Sequence, residues 1–184
     1  MSFQGECFRF KYESNKIFLD PQKAFCSWPI SEIRMPTELG QKYGTDWRGS
    51  PPHMLAPDIP VWFRFLETWG DLFENLYYDC LLGGPVLSPE QETDPYWRMW
   101  RANTAKRADA IAELEHEVWI IEVSQRPGLR AVGQLMVYLS LWMEDAQIEK
   151  PEKSVLVCEE VDTDLISSAA RFGILTYVTP LTPG

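Results

Sequence analysis

Two apolar runs near the middle of the chain each carry one carboxylate where an aliphatic side chain would be expected. Arg107-Ala108-Asp109-Ala110-Ile111 holds the first, and Trp119-Ile120-Ile121-Glu122-Val123-Ser124 holds the second. The polar turn Glu115-His116 separates them, so they read as neighbouring strands over 107–113 and 117–124. An ionised carboxylate among apolar neighbours is costly unless a cation or a hydrogen-bond donor compensates it. The simplest compensation is an ion pair with Arg107 or Arg130; the alternative is a shared metal ion.

The rest of the chain agrees with an ordinary folded core around those strands. Its 184 residues are about one domain long, and 45% are hydrophobic against 24% charged, which excludes a disordered tail. Eight tryptophans are more than a core alone requires and point to an interface as well. The formal charge of −10 argues against broad, non-specific phosphate binding. Within residues 96–134 the balance is different, with Arg98, Arg101, Lys106, Arg107, Arg126 and Arg130 facing five acids, so a nucleic-acid surface is expected only locally. Cys7, Cys26, Cys80 and Cys158 are scattered without metal-ligand spacing and read as reduced, buried thiols. No apolar stretch reaches 18 residues, so no membrane span is expected and the chain is placed in the host-cell cytoplasm or in a particle assembled from it.

Residues 1–20 alternate polar and apolar types, as a hairpin would. Seven prolines between Pro21 and Pro60, interleaved with Trp28, Tyr43 and Trp47, exclude regular helix or central strand and suggest an extended arm lying on its own domain or a neighbour's. The division expected is an arm over 1–59 and an α/β domain over 60–184. Asp58 and Pro60 form a helix start, and apolar residues at steps of three and four from Trp62 to Cys80 predict a helix over 61–80, closed by Gly83-Gly84. Residues 85–105 read as loop. Helices over about 129–144 and 162–172 alternate with strands at Val155–Cys158 and Leu175–Val178, which gives a three-layer α/β arrangement.

Over about 60–180, and most specifically over 107–142, this order resembles the PD-(D/E)XK nuclease superfamily. The run Trp-Ile-Ile-Glu-Val-x-x-Arg-x-Gly, then Gly133-Gln134-Leu135 and Tyr138, is similar to small members encoded in tailed-bacteriophage genomes. The resemblance implies a restriction-endonuclease-like core with Asp109 and Glu122 as magnesium ligands. It places Gln134 at the helix glutamine, and adds a further acid from the preceding helix, for which Glu67 or Glu74 is available. The family's lysine falls at Ser124, which is short and neutral and cannot supply a point charge. Arg130 shares a helix face with Gln134 and Tyr138, and Arg126 follows the strand, so either arginine offers a substitute cation but a poor base.

Three functions remain open on this reading. Ser124, the acidic charge and the aromatic arm favour a non-catalytic structural protein of a tailed-phage particle (connector, neck or tail), needing no cofactor and working in an oligomeric assembly with other subunits through Trp28, Trp47, Trp97 and Trp100. The first alternative is a magnesium-dependent DNA nuclease using Asp109 and Glu122 with Gln134 and Arg130. The second is a nuclease-like protein that binds nucleic acid without cutting it. The Tyr96–Arg101 cluster alternates aromatic and basic residues, suited to stacking on bases or to anchoring on a protein surface.

Overall fold

The computed structural model describes strands Lys11–Glu13 (β1) and Lys16–Phe18 (β2) and residues 36–181. β1 and β2 pair antiparallel, with Tyr12 opposite Ile17, as the alternation in residues 1–20 predicts. Trp28, Cys7 and Cys26 lie outside the described residues. The chain divides between Arg34 and Met35, not at residue 60. The reason lies in the second half of the proline-rich segment, which is built into the α/β unit. Glu38 and Leu81 exchange backbone hydrogen bonds of 2.9 Å, and Lys42–Tyr43 (β3) pairs with Asn75–Leu82 (β4). Gly40 allows that close approach, because a Cβ there would collide with the Tyr78 carbonyl. Trp47 packs against Tyr43 and Tyr78 of the same unit, with ring centroids 4.5 and 5.8 Å away.

A six-stranded mixed sheet forms the middle layer, in the order β3-β4-β5-β6-β7-β8. Its later strands are Lys106–Glu113 (β5), Val118–Ser124 (β6), Glu152–Cys158 (β7) and Leu175–Val178 (β8). β3 to β6 pair antiparallel and β6 to β8 parallel. Ile59–Trp69 (α1) covers one face, where Val61, Trp62, Phe65 and Leu66 meet Ala110, Ile121 and Val155. Leu129–Glu144 (α4) and Thr163–Arg171 (α5) cover the other, where Leu135, Tyr138, Trp142 and Leu165 meet Ile111, Ile120 and Leu156. Among the described residues no helix is long and apolar enough to cross a membrane.

Two expected elements are corrected. The helix predicted over 61–80 stops at Trp69, and the chain passes through a 3-10 turn at Gly70–Leu72 into β4. The three-and-four spacing runs on into Leu76, Tyr77 and Cys80, but cross-strand pairing such as Leu76 with Ala112 overrides it. The segment 85–105, expected as loop, contains helices Pro89–Thr93 (α2) and Pro95–Thr104 (α3). Pro89 and Pro95 occupy first helical turns, where a missing N–H costs nothing, and Pro85 lies in the loop before them. Ser88 caps α2 with Gln91 in a capping box, and the Asp94 side chain accepts from Tyr96 N at 2.9 Å.

Candidate active site

The sheet opens where the two acids stand. The β4–β5 ladder runs from Asn75–Glu113 to Tyr78–Ala110 and resumes at Cys80–Ala108, leaving Asp79 and Asp109 out of it. Asp79 takes a left-handed conformation, φ 61°, which aspartate tolerates better than most residues. The matched irregularity switches faces: Tyr78 and Ala110 belong to the core under α1, whereas Cys80 and Ala108 belong to the core under α4. On the other side, the β5–β6 ladder ends at Ala110–Ile121, one step before Asp109 would face Glu122. Val123 N donates instead to Asp109 Oδ2 at 2.8 Å, so a side chain takes the place of a strand carbonyl.

A third acid joins them. Asp58, at the N-terminus of α1, makes no side-chain cap bond; its Oδ1 accepts from Gln125 N at 2.6 Å, just past the end of β6. Asp58, Asp109 and Glu122 line one cavity of about 210 Å³ with His53, Arg107, Arg130 and Gln134. Burial pushes the Asp109 carboxyl up to about 6, against the pull of the Val123 N–H and with a further push from Asp58. Burial, then the Asp109 charge, raises Glu122 to about 8, which Arg130 and the Tyr138 hydroxyl only partly offset. Burial raises Asp58 as well, opposed by the Gln125 N–H. Asp109 and Glu122 therefore titrate together, each held toward its protonated form. Gln134 Nε2 donates to Tyr138 Oη at 2.8 Å, which leaves the Tyr138 proton for Glu122.

The remaining candidates are distributed unevenly. The Arg107 guanidinium pairs with Asp79 and also donates to Ala102 O at 3.0 Å, so it is not the counter-ion of Asp109. Arg130 forms no salt bridge among the described residues and borders both the acidic cavity and an adjoining groove lined by Lys106, Arg107 and Gln134. Arg126 pairs with Glu160 at 3.1 Å on the surface. Ser124 is half-buried at the end of β6, opposite Cys158, and does not line the cavity. Glu67 is exposed on α1 and Glu74 pairs with Lys150 at 3.0 Å, so neither is the third acid. Trp97 and Trp100 pack edge to face on α3, 5.4 Å apart, with Trp100 exposed.

Asp58 and His53 are the cavity residues that the sequence pattern misses. Asp58 reads as a helix cap and His53 as part of a proline-rich arm, and only the folded backbone brings them to Asp109. Compared with known proteins, the chain matches no family model, no curated protein and no solved structure.

Proposed function

We propose that the cavity of Asp58, Asp109 and Glu122 binds a divalent cation and hydrolyses a phosphodiester, on a restriction-endonuclease-like core. The observation that carries this reading is the convergence of three partly buried acids whose charges oppose one another. Such a grouping destabilises the fold unless a cation offsets it, and perturbed acids in a cleft mark functional sites. The donor set fits magnesium: the three carboxylates supply oxygen, and Val123, where the β5–β6 ladder ends, lines the same cavity. Among the described residues no three such side chains are already drawn together as a finished cage. The chemistry a bound magnesium supplies here is a water of lowered pKa and compensation of charge on phosphoryl oxygens.

The chain's own groups do the rest. Val123 N and Gln125 N fix one oxygen each of Asp109 and Asp58, and among the described residues the other makes no hydrogen bond. The Tyr138 hydroxyl, with Gln134 donating to its oxygen, favours the ionised form of Glu122 and offsets a small part of the rise that burial and Asp109 impose. Arg130 puts a positive charge beside Glu122 that Ser124 does not provide, and with Lys106 it lines the groove along which a phosphate chain would lie.

Cleavage of plasmid and single-stranded DNA with magnesium or manganese tests this reading. The expected result is cation-dependent cleavage reduced at least about 100-fold in Asp109→Asn and in Asp58→Asn. A second reading, a non-cutting assembly piece, draws on α3, whose Tyr96, Met99 and Trp100 are exposed and which buries no residue. Absence of cleavage with every cation tried would favour it.

A further inference from the structure

His53 lines the same cavity from a turn anchored by its neighbours. Pro51 and Met54 on either side are buried, and Met54 N donates to Pro51 O at 3.3 Å. His53 itself adopts a left-handed backbone, φ 63°. Among the described residues, it and Asp79 are the two non-glycine positions with positive φ, and they face each other, His53 Nε2 lying 3.5 Å from Asp79 Oδ1. Strained backbone of this kind persists where the surrounding structure imposes it, and it clusters at functional sites. The imidazole side chain is 60% exposed, so a ligand seated on the acids can reach it.

Resting on the phosphodiester reading, we propose that His53, which lines the cavity of the three acids, is the general base of the site. Asp79 Oδ1 lies 3.5 Å from His53 Nε2 and is held against Arg107, so it acts on the ring through its charge, and Nδ1 is the nitrogen proposed to take the proton. The step balances as a hydrolysis. A water oxygen forms a bond to phosphorus while its proton passes to that nitrogen. The bond from phosphorus to the leaving oxygen breaks, the leaving oxygen takes a proton from solvent, and His53 returns its proton to water. A cationic imidazole could not accept the proton. Burial and then the Arg107 charge lower the pKa of His53 below the ordinary value for histidine, which keeps the ring neutral at pH 7. The charged groups around it are Asp79, Arg107 and Arg130, with Asp58, Asp109 and Glu122 deeper in the cavity.

The chain has two histidines, so His116→Gln leaves the His53 ring signal alone in a proton NMR titration. We expect that titration below pH 6.5, moving lower in Asp79→Asn, with the acid limb of the cleavage rate moving with it. His53→Ala should lose about 100-fold in rate, recover part of it with added imidazole, and keep the magnesium-dependent rise in melting temperature. Cleavage by His53→Ala at the native rate overturns the proposal and leaves the cation site standing. Magnesium binding without cleavage by the native chain also overturns it, since a base would then have no reaction. Failure of the native chain to bind magnesium removes both.

Discussion

At pH 8 without divalent cations, Glu122→Gln should melt about 4–8 °C above the native chain, an effect of roughly 2 kcal/mol at about 2–4 °C per kcal/mol. The gain comes from relieving repulsion. Burial and the neighbouring Asp109 raise the Glu122 pKa from 4.5 to about 8, so the folded state holds a proton that the unfolded state releases. That stabilisation is complete below the unfolded value and is lost as pH rises through the folded one. The native chain therefore weakens between about pH 4.5 and pH 8, and the amide does not. Near pH 5 the two proteins should melt together, and the gap should open as pH increases. The full shift would correspond to about 5 kcal/mol, and relaxation of Asp109 and Arg130 reduces what is measured. Thermal melts across that pH range check the sign. A variant less stable than the native chain at pH 8 would show that Glu122 is satisfied where it stands. Stability gained on removing a charged group is a mark of a site kept for function.

Trp62→Ala has the largest effect expected on folding, a loss of about 3–5 kcal/mol, or upward of about 6 °C in melting temperature. Trp62 is fully buried, stacks on Phe65 at 5.4 Å and donates its Nε1–H to Tyr78 Oη at 2.7 Å. Truncation leaves a cavity and removes the donor from a buried hydroxyl. Alanine keeps the backbone N–H that donates to Asp58 O at 3.0 Å, so the change reaches the site through the packing of α1, whose first turn carries Asp58. Magnesium affinity should fall with stability in this variant. Trp142→Phe gives the contrast. Trp142 is equally buried, but its Nε1 has no partner among the described residues, so the change should cost about 1 kcal/mol less than Trp62→Phe. Denaturant unfolding of the two Phe variants measures the difference.

What the sequence discloses and what it hides follow from the range of the interactions involved. α4 and β8 span the residues that the sequence pattern predicts, 129–144 and Leu175–Val178, because local pattern and tertiary role agree there. β4 is hidden because Leu76, Tyr77 and Cys80 fit a helical spacing as well as a strand, and only pairing with β5 decides between them. Asp109 and Glu122 stand out as acids in apolar strands. Asp58 does not, since an acid before Ile59-Pro60 has an adequate local explanation as a cap. Its actual partner, Gln125 N, is 67 residues away in sequence. The irregularity at Asp79 and Asp109 is illegible for the same reason: neither residue by itself signals that two ladders will part at that point.

The most direct test of the cation site is calorimetric titration of magnesium into the native chain at pH 7, in two buffers of different ionisation heat. Acids held above their ordinary pKa must lose protons to bind a cation, so binding should release up to about one proton and tighten as pH rises. Asp109→Asn should abolish both the heat and the release. Binding with no proton release, or binding unchanged by Asp109→Asn, would contradict a site built from these three carboxylates.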